Sequence, residues 1–320
     1  MTMKRKGKDY GPTDLTRLRT KSIAQRRSLV EVKDFARLAP AGGGFRAFER
    51  SLPNLLAARE LRGLADAIAR AARSGRPVVA AIGAHVIKCG ASPILIDLMR
   101  RGVITALATH GAGAVHDYEV SLAGKTSEDV AEGLPSGGFG MARETASGLA
   151  RAAERGAQGE GLGRALGKMI LKDKNRWARY SVFATAAKLK IPATVHVAIG
   201  TDVAHMHSQI SGAALGEASL VDFRILCSVV GDLEGGVWLN IGSAVVMPEV
   251  FLKALSVARN LGHKVEDFCS ANLDMIQHYR PRQNVLLRPR GKGFAITGHH
   301  EIMLPMLRMM VLDRMGKAGR

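Results

Sequence analysis

The sequence runs to 320 residues, 47% of them hydrophobic and 36 of them glycine, with a formal net charge of +18. That length holds one large α/β domain or two modest ones, and the apolar share excludes a wholly disordered chain. No run of about 20 uncharged apolar residues occurs and no apolar core follows the basic start, so neither a membrane span nor a secretory leader is expected and a cytoplasmic protein is.

Residues 1–50 hold 13 Lys or Arg against five Asp or Glu. They read as a basic arm, MTMKRKGKDYGPTD, followed by a helical extension, with residues 51–320 forming a single domain. Such charge attracts phosphate. No zinc finger or aromatic-basic RNA module accompanies it, so nucleic acid is not the expected partner. The glycines of PAGGGFRAF interrupt any helix. Asn54 is placed to cap a helix running to about Ala72.

PVVAAIGA (77–84) reads as a buried strand followed by a glycine turn. SPILIDLMRR reads as a helix from Ser92, with Pro93 in its first turn. VITALAT is a second buried strand, after which GAGA turns the chain. Continuous apolar runs separated by helices predict an α/β fold, a Rossmann-like and mostly parallel sheet with helices on both faces. Residues 126–180 carry helices and the glycine-rich connections LPSGGFG and ERGAQGEGLG. ATVHVAIGTD restores strand-then-turn, and LVDFRILCSVVGDLEG reads as a helix from Leu220. GVWLNIGSAV is another strand, and Pro248 opens a helix ending near Gly262. KGFAITG and EIMLPMLRMMVLDR read as a last strand and helix.

Four corners share one layout: Gly83-Ala84-His85, Gly111-Ala112-Gly113, Gly200-Thr201-Asp202 and Gly242-Ser243-Ala244. Glycine permits unusual backbone angles and close ligand approach, and parallel sheets bind ligands beyond the carboxyl ends of their strands. These corners therefore read as a nucleotide or cofactor crevice, with Gly83, His85, Gly111, Gly113, Thr201, Asp202, Gly242 and Ser243 as candidate contacts. Ordinary tight turns are the alternative. None is a full G-x-G-x-x-G fingerprint, and GAGAVH places His116 in the third small slot. His116 suits proton exchange near neutral pH. Asp117 and Glu119 suit a cationic group or a ribose hydroxyl.

His196, His205 and His207 raise a metal reading, but no HExxH occurs and their spacing is not diagnostic, so no metal is expected. His299-His300-Glu301 precedes a helix and suits either proton transfer or capping. Arg280 to Lys292 contains five Arg or Lys, suited to carboxylates or phosphates, to a nucleic-acid patch or to a solvated linker. Cys89, Cys227 and Cys269 form no CxxC pair, which suits a reducing compartment. Lys88 beside Cys89 is placed to lower its thiol pKa, the alternative being an inert buried cysteine.

Read in order from Val78 to Arg314, these corners resemble the deoxyhypusine synthase family and its bacterial homologues. The family's Thr-Ser-Asn turn aligns with Gly83-Ala84-His85. Its Thr-Ala-Gly-Gly turn with following acids aligns with His110 to Asp117, where Asp117 keeps an acidic position and His116 replaces another. Its Thr-Asp-Gly block aligns with Thr201-Asp202-Val203, its Gly-Gly-Gly turn with Gly242-Ser243-Ala244, and its closing strand and helix with AITGHHEIMLPML. The resemblance implies an NAD-binding Rossmann-like fold, a homo-oligomer (dimer or tetramer), and transfer of an aminoalkyl group from a polyamine such as spermidine, with a protein lysine as a candidate acceptor.

Two departures stand out. Where the family has Pro-Lys-His-His this chain has Val246-Met247-Pro248-Glu249, leaving Glu249 as the candidate base. The family's catalytic lysine aligns with Pro289, and Lys292 reaches it only with a small shift. The expectation is an NAD-dependent transferase acting on a small amine, with classical hypusine formation in question. His116, Glu249, His299 and Lys292 are the catalytic candidates, and Asp117, Glu119, Arg280 and Arg288 the substrate contacts. A metal-dependent amine or guanidino hydrolase and a basic RNA- or ribosome-associated protein are the alternatives.

Overall fold

The computed structural model describes residues 7–316. Six strands form one sheet: β1 (Val78–Ile82), β2 (Ala106–His110), β3 (Ala193–His196), β4 (Val237–Ile241), β5 (Cys269–Asp274) and β6 (Lys292–Thr297). All pairings are parallel, in the order β3-β2-β1-β4-β5-β6. The expected Rossmann-like α/β class is therefore observed. This order reverses direction between β1 and β4, which opens a crevice at the carboxyl ends of those strands.

Side chains alternate across the sheet and feed two core layers. Val78, Ala80 and Ile82 of β1 join Leu64, Ile68, Leu95, Leu304 and Met310 on one face. Val79 and Ala81 join Leu226, Val230, Trp238, Phe251 and Leu255 on the other. Trp238 stacks on Phe251 with ring centroids 4.2 Å apart. Helices thus cover both faces, and β1, β3 and β4 are buried from two sides, whereas the edge strand β6 buries only Phe294 and Ile296.

Several elements differ from expectation. GAGA does not turn the chain but forms the first turn of a helix, Gly111–Ala123. The helix expected from Leu220 begins at Gly212, where the Ser211 hydroxyl accepts from the Ala214 N–H. Leu55 rather than Asn54 precedes the helix Leu56–Arg73. β5, CSANLD, had no counterpart among the predicted strands. Between residues 7 and 43 only two single turns of 3-10 helix occur, Ile23–Gln25 and Val32–Asp34. The helix Gly44–Ser51 is tied to the C-terminal helix His300–Met315 by Arg46–Asp313 and by Arg314–Glu49 at 2.7 Å. No helix of the described residues is long and apolar enough to cross a membrane.

Candidate functional site

All four small-residue corners fall at the carboxyl rim of the sheet, but the glycines of three of them serve packing first, while Gly200 faces open space at φ +89°. A Cβ on Gly83 would run into the Gly242 carbonyl oxygen, and the Gly83 N–H donates to the Ile241 carbonyl at 2.7 Å. Gly242 has φ +66°, and the His300 imidazole holds the space a side chain there would need. The Ser243 hydroxyl accepts from the Met247 N–H in the first turn of the helix Val246–Asn260, while the Asn240 amide donates to the Ser243 carbonyl. A cavity of about 190 Å³ remains at the order reversal, lined by His85, Gly242, Asp274, His278, His299 and His300 among others. His300 is buried and its Nδ1 has no hydrogen-bond partner. Burial lowers its pKa, with Asp274 pulling the other way, so the ring is held neutral near pH 7.

A second site lies beside it on the β2–β3 side. Because Gly111 has no Cβ, the Asp202 carboxylate settles against the start of the Gly111–Ala123 helix, near the Ala112 N–H. A carboxylate there meets the positive end of the helix dipole. Gly113 leaves room for the Thr109 hydroxyl, which donates to the Ile82 carbonyl at 2.8 Å. Asp202 Oδ2 is buried without a hydrogen-bond partner. His205 Nε2 stands 3.8 Å from it, but burial dominates and raises the carboxyl pKa.

One turn along the same helix, His116 and Glu119 share a face, as residues three apart do. The Thr126 hydroxyl donates to Glu119 Oε2, and the Thr145 hydroxyl donates to Glu119 Oε1 at 3.0 Å. With its one proton committed to Glu119, Thr126 accepts from His116 Nδ1 at 2.7 Å. The His116 Nε2 lone pair is thereby left free. Burial lowers the His116 pKa, opposed by Glu119 and reinforced by Lys88, so this is a neutral imidazole available as a proton acceptor.

A cavity of about 170 Å³ is lined by Lys88, His116, Glu119, Glu128, Thr201 and Asp202 among others. It adjoins a wider cavity of about 500 Å³ to which Glu119, Glu128, Glu144 and Thr145 contribute. Glu119, Ser127, Glu128 and Ala142 line both. Four carboxylates therefore face one continuous groove against two lysines, Lys88 and Lys125. In a chain of net charge +18 this is a local reversal of sign, suited to a cation.

The remaining candidates stand elsewhere. Asp117 is fully buried and accepts from the Val182 N–H at 2.8 Å and from the Ser181 hydroxyl, capping the helix Val182–Leu189. Burial pushes its carboxyl up to about 6, and it lines neither cavity. Glu249 is paired with Lys253 and Arg280 and accepts from the Asn284 amide at 2.9 Å, while Arg288 donates to the same Asn284. Lys253 above all holds the Glu249 carboxyl below its usual value, which makes it a poor base. Glu249, Arg280 and Arg288 thus form a separate cluster. Lys292 is the first residue of β6, paired with Cys269, at the amino rim of the sheet. A six-residue strand at about 3.3 Å per residue separates it from the groove's rim, so it cannot take the place of the missing lysine there.

His196, His205 and His207 do not converge. His196 is buried against the Thr194 hydroxyl, with a pKa pushed down to about 3 by burial. His205 Nδ1 accepts from the Gly200 N–H, and His207 Nε2 faces the Gly140 carbonyl. Among the described residues no group of three or more His, Cys, Asp or Glu is arranged to hold a metal ion. Burial raises the Cys89 thiol pKa, opposite to the lowering Lys88 was placed to give. Sequence reasoning missed Thr126, Glu128, Glu144 and Thr145. The only signal for Thr126 and Glu128 was a cluster of acids and hydroxyls, KTSED, directly after a helix end, and Glu144 and Thr145 sit in the first turn of the helix Arg143–Arg155 with no signal of their own.

The fold and site together define a Rossmann-order α/β chain with a histidine-lined crevice and a separate acid-lined groove at the same rim of the sheet. No family model matches the sequence, and no curated protein matches it either. Solved structures do match. A protein provisionally described as LOR/SDH from Methanococcus maripaludis S2 superposes with a TM-score of 0.50 and 15% identity, over 80% of this chain and 70% of that one. AgrE, in its ternary complex with ornithine and NAD+, gives 0.52 and 15% over 83% of this chain. This chain spans only 35% of AgrE. A protein from Entamoeba histolytica provisionally described as deoxyhypusine synthase gives 0.48 and 11%, over 84% and 93%. Likeness at such identities is likeness of fold alone, here a parallel α/β sheet covered by helices on both faces.

Proposed function

We propose that this chain is an NAD-dependent enzyme acting on a cationic amine, with the amine in the acid-lined groove and NAD in the crevice at the order reversal. The observation that carries this reading is the unpartnered, buried Asp202 Oδ2 in a groove lined by Glu119, Glu128 and Glu144. An ammonium or guanidinium group supplies the hydrogen bonds that such an oxygen lacks. The AgrE complex contains ornithine and NAD+, and a part of that protein shares this fold, which supports considering these two ligand classes together.

The residues present fit part of a dinucleotide. The orphaned His300 Nδ1 and the small corner Gly242-Ser243-Ala244 suit polar, close-approaching groups. The cavity of about 190 Å³ is smaller than the roughly 300 Å³ at which ligand pockets begin, so His85, Gly242 and His300 would hold one half of the cofactor. NAD, when bound, supplies a hydride acceptor. The chain's own residues bind and orient the amine through Asp202 and Glu119, and His116 Nε2 takes the proton that an ammonium must lose before oxidation. Transfer of an aminoalkyl unit from a polyamine to a second amine, within a homo-oligomer, is the finer reading. With Lys292 at the far rim, that transfer would proceed without a lysine intermediate from that residue.

Native mass spectrometry of the purified protein tests cofactor retention and subunit number together. Titration with spermidine, ornithine and arginine, followed at the absorbance of reduced nicotinamide, tests the chemistry. Amine-dependent reduction is expected. Absence of NAD binding together with no reduction by any of these amines would sink the reading.

A further inference from the structure

We propose that a cavity at the opposite, amino rim of the sheet binds an amphipathic anion, meaning a carboxylate, sulfonate or phosphate head carried on a flat or flexible apolar body. The cavity measures about 370 Å³ and lies at the start of β3. Its walls are Ala187, Ile191, Pro192 and Ile225, and its charged groups are Arg164, Lys168 and Lys190. No carboxylate lines it. Its volume falls within the roughly 300–1,000 Å³ typical of small-molecule sites.

The cations reach the cavity from two elements. Arg164 and Lys168 are four apart on the helix Leu162–Lys172 and share a face. Glu160 serves both of them, contacting Lys168 and standing 3.7 Å from Arg164, and it lies 4.0 Å from Arg155 as well. One carboxylate thus answers three cations. Lys190 has no ion pair among the described residues. It ends the helix Val182–Leu189 at φ +59°, ψ +29°, the left-handed region where glycine is favoured. Its ammonium, without an ion-pair partner there, stands with Arg164 and Lys168 at a cavity whose remaining lining is apolar. Charge complementarity then selects an anionic head, and the apolar walls select the body behind it.

The test titrates the full chain with 1-anilinonaphthalene-8-sulfonate, an anion of this chemistry, and reads its fluorescence. One saturable site is expected, weakened at least tenfold in Lys190→Gly and in Arg164→Gln, and weakened by added salt. Glycine accepts the left-handed backbone, so Lys190→Gly should melt no lower than the parent, which separates lost binding from lost folding. Lys190→Met, which keeps the stem without the charge, provides a second check on the charge itself. His116→Ala, at the other rim, should leave the affinity unchanged. Displacement by decanoate assigns an acyl carboxylate, and displacement by adenosine monophosphate assigns a nucleotide. Displacement by neither overturns the proposal, as does full affinity in both Lys190 variants or loss of the site in His116→Ala.

Discussion

His116 and Asp117 are neighbours in sequence and point about 100° apart on their helix. His116 joins Thr126 and Glu119 in the groove, while Asp117 turns inward to cap the helix Val182–Leu189. Replacing His116 with Ala should lower amine-dependent kcat by about 10²–10⁴-fold, the usual worth of a general base, with the melting temperature little changed. Asp117→Ala should do the reverse, costing about 0.5–2 kcal/mol as a lost cap while leaving amine binding intact. The pH profile follows from the neutral imidazole. Because burial lowers the His116 pKa, kcat/KM should rise through a limb below the ordinary histidine value and be flat above it. Glu119 raises that pKa and Lys88 lowers it. Glu119→Gln should therefore move the limb to lower pH, and Lys88→Met to higher pH. The sequence showed that an imidazole and carboxylates followed β2. Which of the acids shared its side depended on whether GAGA was a turn or a helix start, and two glycines concealed the helix.

Helix ends in this chain are repeatedly closed by carboxylates from distant elements. Asp117 serves one, Asp202 stands at a second, and Asp222 serves a third, accepting from the Gly163 N–H at 2.9 Å and from the Val195 N–H at 2.7 Å. Burial pushes the Asp222 carboxyl up to about 7 and that of Asp117 to about 6. A folded-state pKa raised above the unfolded value means the native state binds the proton more tightly. The resulting stabilisation is complete below about pH 4 and is lost as pH rises through about 6 to about 7. Thermal melts should therefore show the advantage of the parent over Asp222→Asn shrinking between about pH 5 and about pH 8. An advantage that grew over that range would contradict the burial argument. Such long-range caps leave no local mark in sequence, whereas the runs VVAAI and VWLNI reveal themselves as strands buried on both faces. β5 escaped notice because its buried face carries Ser270 and Asn272, satisfied by the Val285 carbonyl, Asn240 and Gln277. The resulting alternation of polar and apolar residues imitates an exposed segment.

Over the whole molecule, a net charge of +18 surrounds a groove of the opposite sign. Long-range repulsion should slow the arrival of a cationic amine, and screening should relieve it. Raising the ionic strength from about 20 mM to about 200 mM should therefore increase kcat/KM for a polyamine while weakening anion binding at the amino rim. Stopped-flow and fluorescence titrations in the same buffers would measure both, and a shared direction would contradict one of the two assignments.

The meeting of β1 and β4 carries its own consequence. The Gly83 backbone lies so close to the Gly242 carbonyl that a methyl group has no room, and Gly83→Ala should cost about 1–3 kcal/mol as an overpacked site. In a saturation library at position 83, screening for folded protein alone would return glycine. Its persistence in a set of variants would then report how tightly two strands are sewn together, and would say nothing about whether a nucleotide ever visits that corner.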